Sequence, residues 1–220
     1  MSEKNVQMVR DLIAAGNEGG IEKTRSFFSE GCVYKGTPYV GCGFNIDDGD
    51  GRRVLVSSTL PGAPSEGKLL AGDEILSVRE AGRVHEGFTE LHMSPWGPGS
   101  PGEPVEFRLR RGGKEIEVTV SRGKVPAYEL PLDGILEMQK TFFRTWPDHH
   151  EEIELIIDGG EYVAVLSMVG GTNAELGRRA FWASSSLYRL QNGKIIEIRG
   201  VDDNLSVYRQ LGYSVSEPGR

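Results

Sequence analysis

The sequence predicts an α+β protein whose chain is interrupted by a separate β-rich block, and three observations predict it. Apolar residues recur at helical spacing towards both ends of the chain, around 6–13 and 135–143. Between about 39 and 128, short alternating runs are punctuated by glycine turns and helix signals nearly vanish. After 150 come four β-rich runs, while two helices and one broken strand at the start cannot close a core alone.

Val6, Val9 and Ile13, with Met8 and Leu12 beside them, make the stripe of a first helix that "GNEGG" (16–20) stops. "IEKTRSFFSEG" (21–31) reads as a second short helix ending at Gly31, and "CVYKG" (32–36) starts a strand. In the middle block, "RRVLVSSTL" (52–60) and "DEILSV" (73–78) are strands, and "GFTELHMS" (87–94) is the one helix candidate. Val105, Phe107 and Leu109 alternate, as do Ile116, Val118 and Val120, around Gly112-Gly113, which reads as a hairpin. Beyond 129 the helical period returns in "LDGILEMQKTFFRTWPD" and Pro147 ends it. "EIELIIDGG", "EYVAVLSMVGG", "AFWASSSLYRL" and "IIEIR" complete a strand meander. The expected organisation is one discontinuous domain, 1–38 with 129–220, and an inserted domain, 39–128. An insertion of this kind needs a guest whose ends lie close together.

Composition narrows the partners. A net charge of −7 over 220 residues argues against nucleic acid or an anionic membrane, both of which need a basic surface. No apolar run approaches the roughly 20 residues of a membrane helix. "MSEKNVQMVR" has no apolar signal-peptide core, so a cytoplasmic location is expected. Cys32 and Cys42 read as reduced and buried, with a disulfide as the alternative. His85, His92, His149 and His150 show no ligand spacing, and "DDGDG" (47–51) lacks the frame of a calcium loop, so no metal or cofactor is expected. His149-His150, within "WPDHHEEIE", reads as a solvated turn.

"GCGF" (41–44), "PGAPSEGKLLAGDEILSVREAGRV" (61–84) and "EPVEFRLRRGG" (103–113) resemble a PDZ domain, a partly open β-barrel. The resemblance implies capture of a protein C-terminus by β-augmentation, with its carboxylate in a backbone nest. Gly41 and Gly43 would let amides converge on the anion, Cys42 and Phe44 would point into the last-residue pocket, and Asn45 and Ile46 would pair with the incoming strand. Leu91 and His92 would line the other wall. The alternative is that "GCGF" is only a tight turn.

The outer segments resemble the SnoaL-like polyketide cyclase family, within the superfamily named for nuclear transport factor 2. The resemblance rests on "FFRTWPD" (142–148), "GEYVAVLSMVGGTN" (160–173), "LGRRAF" (176–181) and "YRLQNGKIIEIRGVDDNLSVYRQLG" (188–212). It implies a curved antiparallel sheet wrapped by helices into a cone around an apolar pocket, and a homodimer formed through the sheet. It also implies an acid/base carboxylate at Asp203, beside Arg199, with Trp182, Tyr188 and Asn173 shaping the pocket. Asp203 has a second reading as the cap of the last helix, for which Asp202 is a rival. Two functions stay open. One is a scaffold with a peptide-binding insert and a pocket for a small hydrophobic molecule. The other is a cofactor-free acid/base enzyme of cyclase, isomerase or hydrolase type, acting on a small carbonyl compound.

Overall fold

A computed structural model describes residues 2–47, 52–93 and 99–213. In chain order, helices α1 (Ser2–Asn17) and α2 (Ile21–Arg25) precede strand β1 (Phe28–Gly36). There follow β2 (Tyr39–Gly41), β3 (Phe44–Asp47), β4 (Val54–Thr59), β5 (Glu74–Glu80), β6 (Arg83–Glu86) and α3 (Phe88–Met93). Next come β7 (Pro104–Arg111), β8 (Lys114–Ser121), β9 (Gly123–Val125) and β10 (Tyr128–Pro131). The chain continues through α4 (Leu132–Thr145), β11 (His150–Gly159), β12 (Tyr162–Thr172), β13 (Arg179–Gln191), β14 (Lys194–Asp202) and α5 (Asn204–Gln210). It divides into two compact units, Met1–Gly36 with Glu129–Arg220, and Thr37–Tyr128.

The first unit has a six-stranded sheet in the order β10-β1-β14-β13-β12-β11. From β11 to β14 it is an antiparallel meander, but β1 runs parallel to β14, so the sheet is mixed and not all-antiparallel as expected. The reason is topological: β1 enters after two helices, not by a hairpin, and is free to lie in either direction. Helix α2 is also shorter than its sequence suggests. Strand β1 begins at Phe28, which is buried opposite Ile195, so sheet pairing overrides the local helical signal. Val9, Leu12 and Ile13 of α1 and Ile135 and Leu136 of α4 pack with Val163, Val165 and Ile195 of the sheet to form the core.

The second unit has a sheet in the order β3-β4-β5-β7-β8, with β6 on β5, and a separate pair, β2-β9. Among the described residues it does not close into a barrel: β3 and β8 are edges, and β2 and β9 pair with each other instead of joining it. Val54, Val56, Leu69, Val78, Phe107 and Leu109 fill its core. The β7–β8 turn places Gly112 and Gly113 at φ +57° and +79°, the left-handed geometry a two-residue hairpin needs. Within each unit the strands nearest the crossing points are neighbours, β1 beside β10 and β2 beside β9, so the chain leaves and returns at one place. No helix among the described residues is long and apolar enough to cross a membrane.

Candidate functional site

Strand periodicity builds the site. Successive side chains on a strand face opposite ways, and on β13 Trp182, Ser184, Ser186 and Tyr188 all face the helices, as do Ile198, Gly200 and Asp202 on β14. From α4, Ile135, Met138, Gln139, Phe142 and Phe143 form the matching stripe at helical spacing. Between sheet and helices lies a cavity of about 390 Å³, within the range of small-molecule sites.

One end of the cavity is aromatic. The rings of Trp146 and Trp182 lie 5.0 Å apart, Phe142 is 6.4 Å from Trp182, and Phe143 stacks on His149 at 5.0 Å. His149, expected in a solvated turn, is buried there instead. Its Nδ1 lies 2.9 Å from the Trp146 carbonyl oxygen and its Nε2 3.0 Å from that of Gly16. Exposed His150 keeps the solvent side.

A polar row crosses the floor. Asp202 pairs in register with Ser184, and Ser184 with Ser167. The Ser167 hydroxyl donates to Glu151 Oε1 at 2.7 Å. Asn17, at the end of α1, fixes the Glu151 backbone: its Nδ2 donates to the Glu151 carbonyl at 2.9 Å and its Oδ1 accepts from the Glu151 amide at 2.7 Å. Burial pushes the Glu151 carboxyl above its ordinary 4.5; the Ser167 bond opposes this, the Asp202 charge adds to it, and His149 offsets it. Burial likewise raises the Tyr188 phenol. The arrangement can hold an apolar body against the aromatic end and present a desolvated carboxyl to a polar group.

Of the residues singled out from the sequence, Trp182 and Tyr188 line the cavity. Asp203 does not. It is exposed and caps α5, its Oδ1 accepting from the Ser206 amide at 3.0 Å, while its neighbour Asp202 faces the cavity. Arg199 is exposed and bonded to Glu197 at 2.7 Å, so it neither meets Asp203 nor reaches the cavity. Asn173 is fully buried, its Oδ1 accepting from the Glu175 and Leu176 amides, which makes it a turn residue and not part of the rim. In the second unit, Cys42 and Leu91 are packed into the core. Phe44 packs edge-on to Phe107 at 5.6 Å, and Asn45 and Ile46 pair with β4. Gly41 ends β2, and Gly43 sits at φ +79° where a Cβ would come within 2.4 Å of Ala63. The His92 side chain and most of the "DDGDG" stretch lie outside the described residues.

Glu151 and His149 are the residues sequence reasoning missed. Carrying the inward alternation back from Ile153, which packs on the core, reaches both. Cys32 and Cys42 are free and buried, one in each unit, and burial raises both thiols to about 11. Among the described residues no group of three His, Cys, Asp or Glu side chains is placed to hold a metal ion.

Residues 123–211 match the family model of SnoaL-like polyketide cyclase. AclR from Streptomyces galilaeus is 11% identical, with a TM-score of 0.53 over 99% of this chain and 87% of that one. IdmH from Streptomyces antibioticus is 14% identical over 94% and 98% of the two chains, at 0.49. A SnoaL-like protein from Jannaschia is 12% identical over 97% and 95%, also at 0.49. No curated protein matches the chain. The likeness to AclR is one of fold, and together with the family match it defines an α+β SnoaL-like fold with a mixed sheet and few helices.

Proposed function

We propose that the first unit binds a small hydrophobic molecule in its cavity, and that the carboxyls of Glu151 and Asp202 act on it as acid and base. The observation that carries this reading is a desolvated carboxyl inside a cavity of ligand size, in a fold that matches a cyclase family. Asp203 passes its proposed role to these two, since its own carboxylate is committed to a helix cap. NMR titration with a panel of small aromatic ketones tests the binding. Shifts confined to Trp182, Ser184, Glu151 and their neighbours are expected, and a panel that moves only residues 37–128 overturns it.

A second copy of the chain is the proposed partner of this unit. The outward row Leu155, Leu166, Ser185 and Val201 crosses the sheet in register, and Leu155 and Val201 are more than half exposed, as apolar interface residues are before assembly. Sedimentation of a Val201→Lys variant as a monomer, against a wild-type dimer, is the expected outcome. For the second unit we propose PDZ-like capture of a protein C-terminus along β3. The supporting observation is that β3 is a sheet edge preceded by the Gly41–Gly43 turn. Binding from a C-terminal peptide library that survives amidation of the terminal carboxylate ends this proposal.

A further inference from the structure

Two carboxylates withdrawn from water elsewhere among the described residues are each met by a cation. Glu197 lies 2.9 Å from Lys35 and 2.7 Å from Arg199. Asp73 is gripped by Arg111 at 2.7 and 2.6 Å. The cavity differs. Glu151, half-buried, and Asp202, whose side chain is exposed, both line it, and among the described residues no lysine or arginine does.

We propose that the missing cation arrives with the ligand: the cavity takes a small amphipathic amine, its protonated or quaternary nitrogen held between Glu151 and Asp202 above Ser184. This rests on the cavity reading given above and names the ligand class. Three observations carry it. The carboxyls share one polar row, so a single positive centre over Ser184 faces both. The aromatic end, with Trp146, Trp182 and Phe142, favours a weakly hydrated cation over a neutral group of equal size. An anionic ligand would meet the Glu151 and Asp202 carboxyls with no lysine or arginine in the described lining to offset them, which is unfavourable.

Of the other titratable groups at this end, His149 turns both ring nitrogens onto chain carbonyls and partly offsets the rise of the Glu151 carboxyl, and the Tyr188 phenol takes its hydrogen bond from Ser186. Burial raises the Glu151 carboxyl, which gives the proposal a signature. A cation entering the site favours the ionised carboxyl, so binding draws off a proton and tightens as pH rises towards the raised value of the free carboxyl.

The test is calorimetry on the full chain with three probes of like shape: phenyltrimethylammonium, tert-butylbenzene and benzoate. The cation is expected to bind about tenfold more tightly than the neutral probe, with benzoate weakest. Titrations in buffers of different ionisation enthalpy should show proton release with the cation alone. Glu151→Gln should bring cation and neutral probe to near parity and abolish the release. Tert-butylbenzene binding as tightly as the cation, or cation binding without proton release in the wild-type protein, overturns the ligand class and leaves the cavity reading standing. Failure of all three probes to bind counts against both. Wild-type proton release does not depend on how well the variant folds.

Discussion

Glu151 in the first unit and Asp73 in the second are both carboxyls withdrawn from water, yet their environments push them in opposite directions. Burial would raise Asp73, but the two-pronged Arg111 bond and the Leu70 amide outweigh it and hold the carboxyl below its ordinary 3.8. Nearby, buried Arg122 is matched by Glu80 and by Glu103 at 3.1 Å. Burial wins at Glu151, where a serine hydroxyl is the hydrogen-bond donor to the carboxylate. The contrast separates architecture from function. A buried charge that is fully matched locks a fold, whereas one left beside a cavity keeps free energy in reserve for a ligand.

The comparison breaks most visibly where the second unit is tightest. Gly43→Ala combines a left-handed backbone with a Cβ 2.4 Å from Ala63 and 2.9 Å from Val125, and should cost the second unit about 4 kcal/mol in denaturant unfolding. Arg111→Ala leaves Asp73 buried without its cation. With Arg111 itself one-third exposed, a loss of about 2 kcal/mol is expected, below the 3–5 of a fully buried pair. The pH dependence separates the carboxyls further. Asp73 contributes stability present above pH 3.8 and lost as pH falls through its lowered value. Glu151 does the reverse: the unfolded chain ionises at about 4.5 and the folded one later, so the first unit weakens as pH rises from 4.5 through the raised value. Glu151→Gln should flatten that slope. Smallest of the four, Asp203→Ala should cost about 1 kcal/mol or less through loss of an exposed cap, with ligand binding in the cavity unchanged.

How much of this was legible depends on whether a signal is local. The α4 stripe from Ile135 to Phe143 and the alternation of Trp182 and Tyr188 are periodicities within one element, and both emerge in the cavity wall. The β1–β14 pairing is not written in either segment, because nothing in Phe28–Gly36 names a partner some 160 residues away. Asp202 and Asp203 show how sharp the limit is. A one-residue offset at a strand end turns a side chain from the cavity to the solvent, and the resemblance pointed to the outer of two adjacent aspartates. Glu151 was hidden for a different reason. In "DHHEEIE" the local charge density reads as surface, and only Ile153, anchored in the core, sets the phase that sends Glu151 inward.

The central claim is that burial at Glu151 outweighs the groups that favour its charged form. An NMR titration of the Glu151 side-chain carboxyl carbon in the ligand-free protein tests it directly. A midpoint clearly above 4.5 is predicted. A midpoint at or below that value would show the carboxyl already stabilised in its charged form, and would contradict the account.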